Sequence, residues 1–178
     1  MRQLLIGAVL FLAACTGKPS LDDPALGDRD LNLEEFFQGE TVAKGQFQDI
    51  FGTVRRRFDV TIDGDWDGRT LTLTEDFVYE DGSTERRVWS LVKTGPDTWK
   101  GAAPGVIGTA SGTEKGDTFN WKYTIDLPIP SADGPPETMR VAFDDWMWLL
   151  SDDRLLNRAY VRRFGLDIGE VIIWFEKT

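Results

Sequence analysis

The sequence predicts an all-β domain, a closed antiparallel up-and-down β-barrel of the lipocalin (calycin) kind with about eight to ten strands. Residues 55–92 read as three alternating runs joined by Asp-Gly pairs at 63–64 and 81–82, which are typical of hairpin turns. Residues 119–127 alternate strictly between apolar and polar side chains. No segment shows the periodicity of a long helix, so we favour a barrel of tightly connected strands over a sandwich.

The N-terminus has the features of a bacterial lipoprotein signal peptide at residues 1–14. Arg2 supplies the positive start, residues 4–12 form an apolar run, and small residues precede Cys15, the only cysteine of the chain. The run is shorter than the roughly 20 residues that a membrane-spanning helix needs. We therefore expect removal of residues 1–14 and lipidation of Cys15, with a plain secretory signal as the alternative.

The residues after the cleavage site predict where the protein is held. Thr16 follows Cys15, whereas the familiar inner-membrane retention residue of enteric bacteria at that position is Asp. The N-terminal lipid anchor should therefore make the membrane a partner, at the periplasmic face of the outer membrane. Residues 15–30 combine two prolines with scattered charge and predict a flexible tether, and residues 31–178 are long enough for a single barrel domain.

The other elements of the body follow in order. Residues 31–37 predict a short helical turn or a plug packed on the barrel, and the glycines of residues 104–112 predict barrel corners or a close backbone approach. Residues 155–165 fit a strand or a short helix, and we favour a strand. The run 171–175 hardly alternates, so both of its faces should be covered. The predicted strands outside 55–92 are residues 45–52, 99–102, 119–127, 139–147, 155–165 and 171–175.

Three charged residues share the apolar faces of the predicted strands: Arg56, Glu75 and Arg87. An unpaired charge in a dry interior costs several kcal/mol, so such residues are usually paired or face a wet cavity. Both explanations stay open here, because the three could form an internal Arg-Glu-Arg network or part of a ligand site. A register slip or a bulge could also move any one of them to the surface.

Residues 144–148 place two acids beside three large apolar side chains. Asp145 could pair with an interior arginine such as Arg158 or Arg163, with the aromatic residues in the core. The same run could instead form the rim of a pocket for an amphipathic ligand, with Trp146 in its wall. Both interpretations remain open from the sequence.

The composition limits the chemistry that the chain can perform. It contains no histidine, which excludes Ser-His-Asp and Cys-His catalysis as well as histidine metal sites, and we expect neither an enzyme nor a cofactor. A carboxylate-based hydrolase would need two acids facing each other across a cleft. Residues 63–68 match the opening of an EF-hand loop, but its twelfth position is Thr74, so a hairpin turn is favoured and no metal site is predicted. The net charge of −10 makes nucleic acid and bare anionic lipid headgroups poor partners.

A set of motifs spread over the body carries a family resemblance: residues 37–39, 45–52, 56–58, 66–68, 73–79, 81–82, 87–89, 144–147, 157–159 and 164–165. On these motifs the chain resembles the DUF3833 family of bacterial lipoproteins from about residue 36 to the C-terminus. The resemblance implies a lipoprotein that faces the periplasm. Where similar proteins carry an acidic pair before Val106, this chain has Pro104-Gly105, which argues against a metal or catalytic role there.

These observations predict a lipid-anchored barrel that binds a small apolar or amphipathic ligand, such as a fatty acyl lipid. Tryptophan and tyrosine side chains should form the walls, and Arg56 or Arg87 should meet a carboxylate or phosphate group of the ligand. The alternative is a filled barrel that acts through its surface on a protein partner, which the sequence does not identify. The predicted pocket residues are Arg56, Glu75, Arg87, Trp89, Trp121, Tyr123, Asp145, Trp146 and Arg158.

Overall fold

A computed structural model describes residues 17–24, 28–129 and 137–178 of the chain. The predicted signal peptide at residues 1–14, the lipidation site Cys15 and the sorting residue Thr16 lie outside the described residues. Within these ranges, none of the helices combines the length and the apolar character of a membrane span.

The described residues form a closed antiparallel barrel of ten strands and one short helix. Each strand pairs with its neighbours along the chain, and β1 pairs with β10 to close the barrel, so the predicted fold class is confirmed. Closure leaves no unpaired sheet edge. The elements are α1 (Leu33–Phe37), β1 (Gly39–Asp49), β2 (Val54–Trp66), β3 (Thr70–Tyr79), β4 (Thr84–Gly95), β5 (Thr98–Ala102), β6 (Ala110–Lys115), β7 (Thr118–Ile129), β8 (Glu137–Ser151), β9 (Arg154–Arg163) and β10 (Leu166–Lys177).

Strand alternation determines which side chains enter the barrel. On β2, Val60 and Ile62 are buried inside while Arg55 and Arg57 are exposed outside. Residues 155–165 form a strand as favoured, within β9. The prediction that both faces of residues 171–175 are covered is wrong, because Trp174 on β10 remains 42% exposed on the outer face.

The turn predicted at residues 63–64 does not form there, and the turn between β2 and β3 lies at residues 67–69 instead. β2 continues through Gly64 to Trp66, and the Asp67 carboxylate caps the following turn by accepting hydrogen bonds from the N–H groups of Arg69 and Thr70 at 2.8 and 2.7 Å. A Cβ at residue 64 would overlap the carbonyl oxygen of Phe37, so this glycine allows a close packing contact inside a strand. The turn at residues 81–82 is confirmed, with Gly82 at φ +80°.

The helix α1 plugs one end of the barrel, as predicted. Leu33, Phe36 and Phe37 are buried, and the Phe37 ring packs edge-to-face on Phe175 with 5.7 Å between centroids. The backbone N–H of Leu33 donates to the Glu114 carboxylate at 2.7 Å. We call this the closed end and the opposite end, where β1 meets β2 and β9 meets β10, the mouth.

The described part of residues 17–30, the predicted tether, contacts the outside of the barrel. Lys18 Nζ lies 2.8 Å from Asp167 at the mouth, and Asp22 lies 3.0 Å from Lys115 near the closed end. Arg29 pairs with Asp152 between β8 and β9. The chain therefore runs from the mouth to the closed end before it enters the plug.

Candidate ligand-binding cavity

The mouth half of the barrel contains a cavity of about 580 Å³. This is within the range of roughly 300–1,000 Å³ that is typical of small-molecule sites, and the mouths of β-barrels are a common place for such sites. The walls are apolar because the inward positions of the strands here carry aromatic and aliphatic residues. The wall residues include Phe47, Phe58, Ile125, Val141, Phe143 and Val161.

A layer of polar side chains crosses the barrel beneath this cavity. We call Glu75, Arg87, Tyr123, Asp145 and Asn157 the polar floor. All five line a second cavity of about 110 Å³ between the floor and the plug, and all except Glu75 line the large cavity as well. The polar floor therefore divides the interior into a large apolar chamber open at the mouth and a small chamber at the closed end.

The arginine of the floor is held by an acid that the sequence analysis did not select. Arg87 donates to Glu85 at 2.6 Å, and Glu85 also accepts a hydrogen bond from the Tyr79 hydroxyl at 2.8 Å. Glu75 is the register partner of Arg87 on β3. Burial raises the pKa of Glu75 to about 7, even though the nearby Arg87 charge acts to lower it.

Asp145 is the most deeply buried acid of the floor. Burial raises its pKa well above the ordinary value, and the charges of Asp144 and Glu75 act in the same direction. Its Oδ1 atom is buried and has no hydrogen-bond partner among the described residues. A buried polar atom without a partner is costly, so a hydrogen-bonding group of a ligand at this point would be favourable.

Arg56 lies at the mouth and not on the floor. Its guanidinium stacks over the Tyr79 ring at 3.4 Å and donates to the Ser83 hydroxyl at 2.9 Å. The nearest carboxylate, Asp81, is 3.7 Å away, and 44% of the Arg56 side chain is exposed. The mouth therefore presents a positioned cation with donors left for an anion.

The structure places most of the predicted pocket residues inside the barrel, at the mouth, on the polar floor or in the small chamber. Arg87, Tyr123 and Asp145 line both chambers. Glu75 joins them on the polar floor, and Arg56 lies above them at the mouth. Trp89 and Trp121 line only the small chamber, with their rings 5.8 Å apart. The predicted Arg-Glu-Arg network does not form as such, because Arg56 is held at the rim.

The prediction that Trp146 and Arg158 line the pocket is wrong, because both residues lie on the outer face of the barrel. Trp146 follows Asp145 on β8 and so points to the outer face, where its register partner on β9 is Arg158. Trp146 is nevertheless buried, at 4% exposure. Arg158 donates to Glu170 on the outside at 2.6 Å, so it is not the partner of Asp145.

Two inward polar residues were missed from the sequence. Glu85 is in phase with Arg87 on β4, and Asn157 is in phase with the buried Leu155 and Ala159 on β9. Strict application of the period-two rule would have found both. Within the described ranges, no group of three or more His, Cys, Asp or Glu side chains is placed to hold a metal ion.

Similar solved structures share the fold of this chain. The S-type phycobiliprotein lyase of Guillardia theta superposes with a TM-score of 0.59 at 12% identity, over 83% of this chain and 93% of the lyase. A DUF3598 family protein from Nostoc punctiforme PCC 73102 gives a TM-score of 0.55 at 12% identity, over 92% of this chain and 53% of its own length. At this identity the likeness shows the fold alone.

The sequence comparisons give the family. No curated protein sequence matches the chain. The sequence profile described as "Protein of unknown function (DUF3833)" matches residues 9–177, which is nearly the whole chain. The chain therefore belongs to the DUF3833 family.

Proposed function

We propose that this protein is a lipid-anchored envelope protein that binds one small apolar or amphipathic molecule, of the fatty acyl class, inside the barrel. The observation that carries the proposal is the cavity of about 580 Å³, with apolar walls, an open mouth and a polar floor. Apolar surface that lines a cavity gains free energy when a ligand covers it, at about 25 cal/mol per Å².

The charges suggest how the ligand is oriented. An anionic group fits best at the mouth, where Arg56 is half exposed and its nearest carboxylate is 3.7 Å away. Arg87 is less suitable, because Glu85 already holds it at 2.6 Å on the floor. The acyl chain would then extend between Phe58 and Phe143 toward the floor.

The volume of the large chamber supports ligand binding over the filled barrel that would act only through a protein partner. We also propose binding without catalysis. The acids Glu75 and Asp145 both line the floor, but Arg87 and Tyr123 share this layer, and Glu75 does not line the large chamber. Hydrolysis of an acyl ester probe by the purified protein would contradict this part of the proposal.

A matched pair of substitutions tests the chamber. Ala159 lines the cavity on β9, whereas Ala142 lies on the outer face of β8. Ala159→Phe should fill part of the chamber and lower the affinity for a fluorescent fatty acid probe at least tenfold. Ala142→Phe should leave the affinity for the same probe within twofold of the parent value. Equal affinities in two folded variants would place the ligand outside the barrel.

The native ligand can be sought in the same preparation. Organic extracts of the purified protein should contain a stoichiometric acyl species by mass spectrometry, and the Ala159→Phe protein should contain less of it. A clean extract together with no response to acyl probes would favour the filled barrel and a protein partner.

The anchor and the location are further parts of the proposal. They depend on Cys15 as a lipidation site and on Thr16 beside it, with the periplasmic face of the outer membrane as the destination. Mass spectrometry of the N-terminal peptide should find a lipid-modified residue 15, and membrane fractionation should find the protein in the outer membrane. An unmodified Cys15 would leave the chamber intact but remove the anchor.

A further inference from the structure

The four most exposed large apolar side chains of the described residues lie at two turns of the mouth. One turn joins β1 to β2, and the other joins β9 to β10. The four side chains, with their exposed fractions, are Ile50 at 60%, Phe51 at 85%, Phe164 at 90% and Leu166 at 71%. Large apolar groups are costly in water, so a cluster of them indicates a contact surface.

The pairing of the strands makes these two turns neighbours. β1 pairs with β10 as far as Asp49 opposite Gly169, and β10 pairs with β9 from Leu166 opposite Arg163. Both turns therefore lie at the same end of four adjacent strands, in the order β2, β1, β10 and β9. The surface formed by residues 50–51 and 164–166 borders the entrance to the large chamber, and we call it the mouth patch.

The backbone conformation at Phe164, one of these four residues, is strained. Phe164 and Gly165 form a two-residue turn in which both have positive φ, at 53° and 80°. Such a turn normally takes Asn, Asp or Gly, because bulky side chains are strained in this region. A phenylalanine in this conformation that is also 90% exposed points to a function for the ring.

The mouth patch is flanked by basic residues on a protein that is otherwise acidic. Residues 49–57 and 162–168 together contain five arginines and two aspartates, whereas the whole chain has a net charge of −10. Four of these arginines lie within 4.0 Å of an acid, two of them beside Glu80 and Asp81 of the β3–β4 turn, so the mouth has five arginines against four acids. The ion-paired arginines remain between 43% and 60% exposed, which leaves them able to meet further anions. This local excess of positive charge complements a surface of anionic phosphates. Apolar side chains surrounded by arginines are the arrangement of interfacial membrane-binding sites.

The start of the described chain lies at the same end. Lys18 Nζ is 2.8 Å from Asp167, which follows the β9–β10 turn, and stands over the Tyr160 ring at 4.5 Å. Cys15 is three residues before Lys18, and three residues of chain reach at most about 11 Å. A lipid on Cys15 would therefore enter the membrane close to the mouth patch.

We propose that the mouth patch docks on a bilayer with anionic headgroups, so that the barrel stands with its mouth against the membrane. Phe51, Phe164 and Leu166 enter the interfacial layer, and the flanking arginines pair with lipid phosphates. The closed end faces away from the membrane. In this orientation an apolar molecule passes between the membrane and the chamber without crossing bulk water.

Site-specific depth measurements in the full chain test this orientation. Cys15 is the only cysteine, and lipidation uses its thiol, so Phe51→Cys, Leu166→Cys and Leu150→Cys each add one thiol for an environment-sensitive fluorophore. Leu150 is the matched control, because it is 46% exposed but lies beside the β8–β9 turn at the closed end. The parent chain, treated in the same way, gives the background label to subtract.

The labelled proteins are reconstituted into vesicles of phosphatidylcholine and phosphatidylglycerol with brominated acyl chains. We expect bromine quenching at residues 51 and 166 to exceed that at residue 150 at least threefold, and to fall when phosphatidylglycerol is omitted. Equal quenching at all three positions, stronger quenching at residue 150, or none at any position would overturn the proposal. Fatty acid binding measured in detergent tests the chamber separately, so failure of either proposal is distinguishable from failure of the other.

Discussion

Glu75 and Arg87 are directly opposite each other on β3 and β4, yet the closest carboxylate to the Arg87 guanidinium is Glu85, at 2.6 Å. Glu85 is two positions before Arg87 on the same strand and also accepts from Tyr79. The result is a buried acid, Glu75, that lies near a positive charge but has no close ion pair within the described part of the chain. Burial outweighs the attraction, which is why its pKa is raised to about 7.

The raised pKa of Glu75 predicts a dependence of stability on pH. Its ordinary value is 4.5, so between pH 4.5 and 7 the folded protein keeps a proton that the unfolded chain releases. The free energy of unfolding therefore falls as pH rises through this window. Glu75→Gln should stabilise the protein at pH 8 by an amount of up to about 3 kcal/mol and have little effect near pH 4.5. Urea unfolding across this range measures it.

Asp76 provides the matched control for this experiment. It is the next residue on β3, points outward, and accepts two hydrogen bonds from Arg86 at 2.6 and 2.7 Å, which lower its pKa. Its contribution to stability has the opposite sign. Because its pKa is lowered in the folded protein, Asp76 stabilises the fold at pH values above its ordinary pKa, and this stabilisation is lost as the pH falls below it. Asp76→Asn should not stabilise the protein at any pH. An unchanged pH profile in Glu75→Gln would mean that water in the cavity solvates the acid.

The fold was predictable because alternation is a local property of the sequence. Residues 119–127 carry their period of two into β7, where Phe119, Trp121 and Ile125 are buried. That residues 63–64 stay within β2 was not predictable, because Gly64 is required by its contact with Phe37 of the plug, and that contact depends on the folded chain. From the sequence alone, an Asp-Gly pair that forms a turn cannot be distinguished from one whose glycine makes a close packing contact inside a strand.

For the candidate site, the sequence could predict which side of each strand points into the barrel. Alternation placed Glu75 and Arg87 inside, but the choice of Glu85 as the partner of Arg87 depends on side-chain geometry. Trp146 was assigned to the pocket for its chemistry, against its phase on β8. The volume of the chamber follows from barrel closure and the sizes of side chains from many strands, which no single stretch of sequence contains.

Arg56 should determine the preference for anionic ligands. Arg56→Gln removes the positioned cation at the mouth, so affinity for a fluorescent fatty acid should fall about tenfold, while its uncharged methyl ester should bind as before. Arg57→Gln is the control, because Arg57 points outward and lies 3.9 Å from Glu80. Equal losses for acid and ester, or the same loss in Arg57→Gln, would show that Arg56 does not contact the headgroup.

Gly64 should be essential for seating the plug. In Gly64→Ala the new methyl group meets the Phe37 carbonyl, and neither backbone can move without disturbing β2 or α1. We expect a loss of at least about 2 kcal/mol in the free energy of unfolding. Gly45→Ala is a milder comparison, because its closest contact, at 2.5 Å, is a side chain, the Phe58 ring, and the nearest backbone atom, the Ile172 oxygen, is 3.1 Å away. Similar losses in both variants in urea unfolding would argue against a special role for the plug contact.

Substitutions on the two faces of β8 should differ in their effect on the affinity for an acyl probe. Phe143 lines the large chamber and stacks on Tyr123 with 5.0 Å between ring centroids, whereas Trp146 lies on the outer face. Phe143→Ala removes apolar contact with an enclosed acyl chain, so probe affinity should fall about tenfold, which corresponds to about 1.4 kcal/mol. Trp146→Phe should change affinity less than twofold. The reverse pattern, measured by probe titration in variants with unchanged circular dichroism, would place the acyl chain against the outer wall of the barrel.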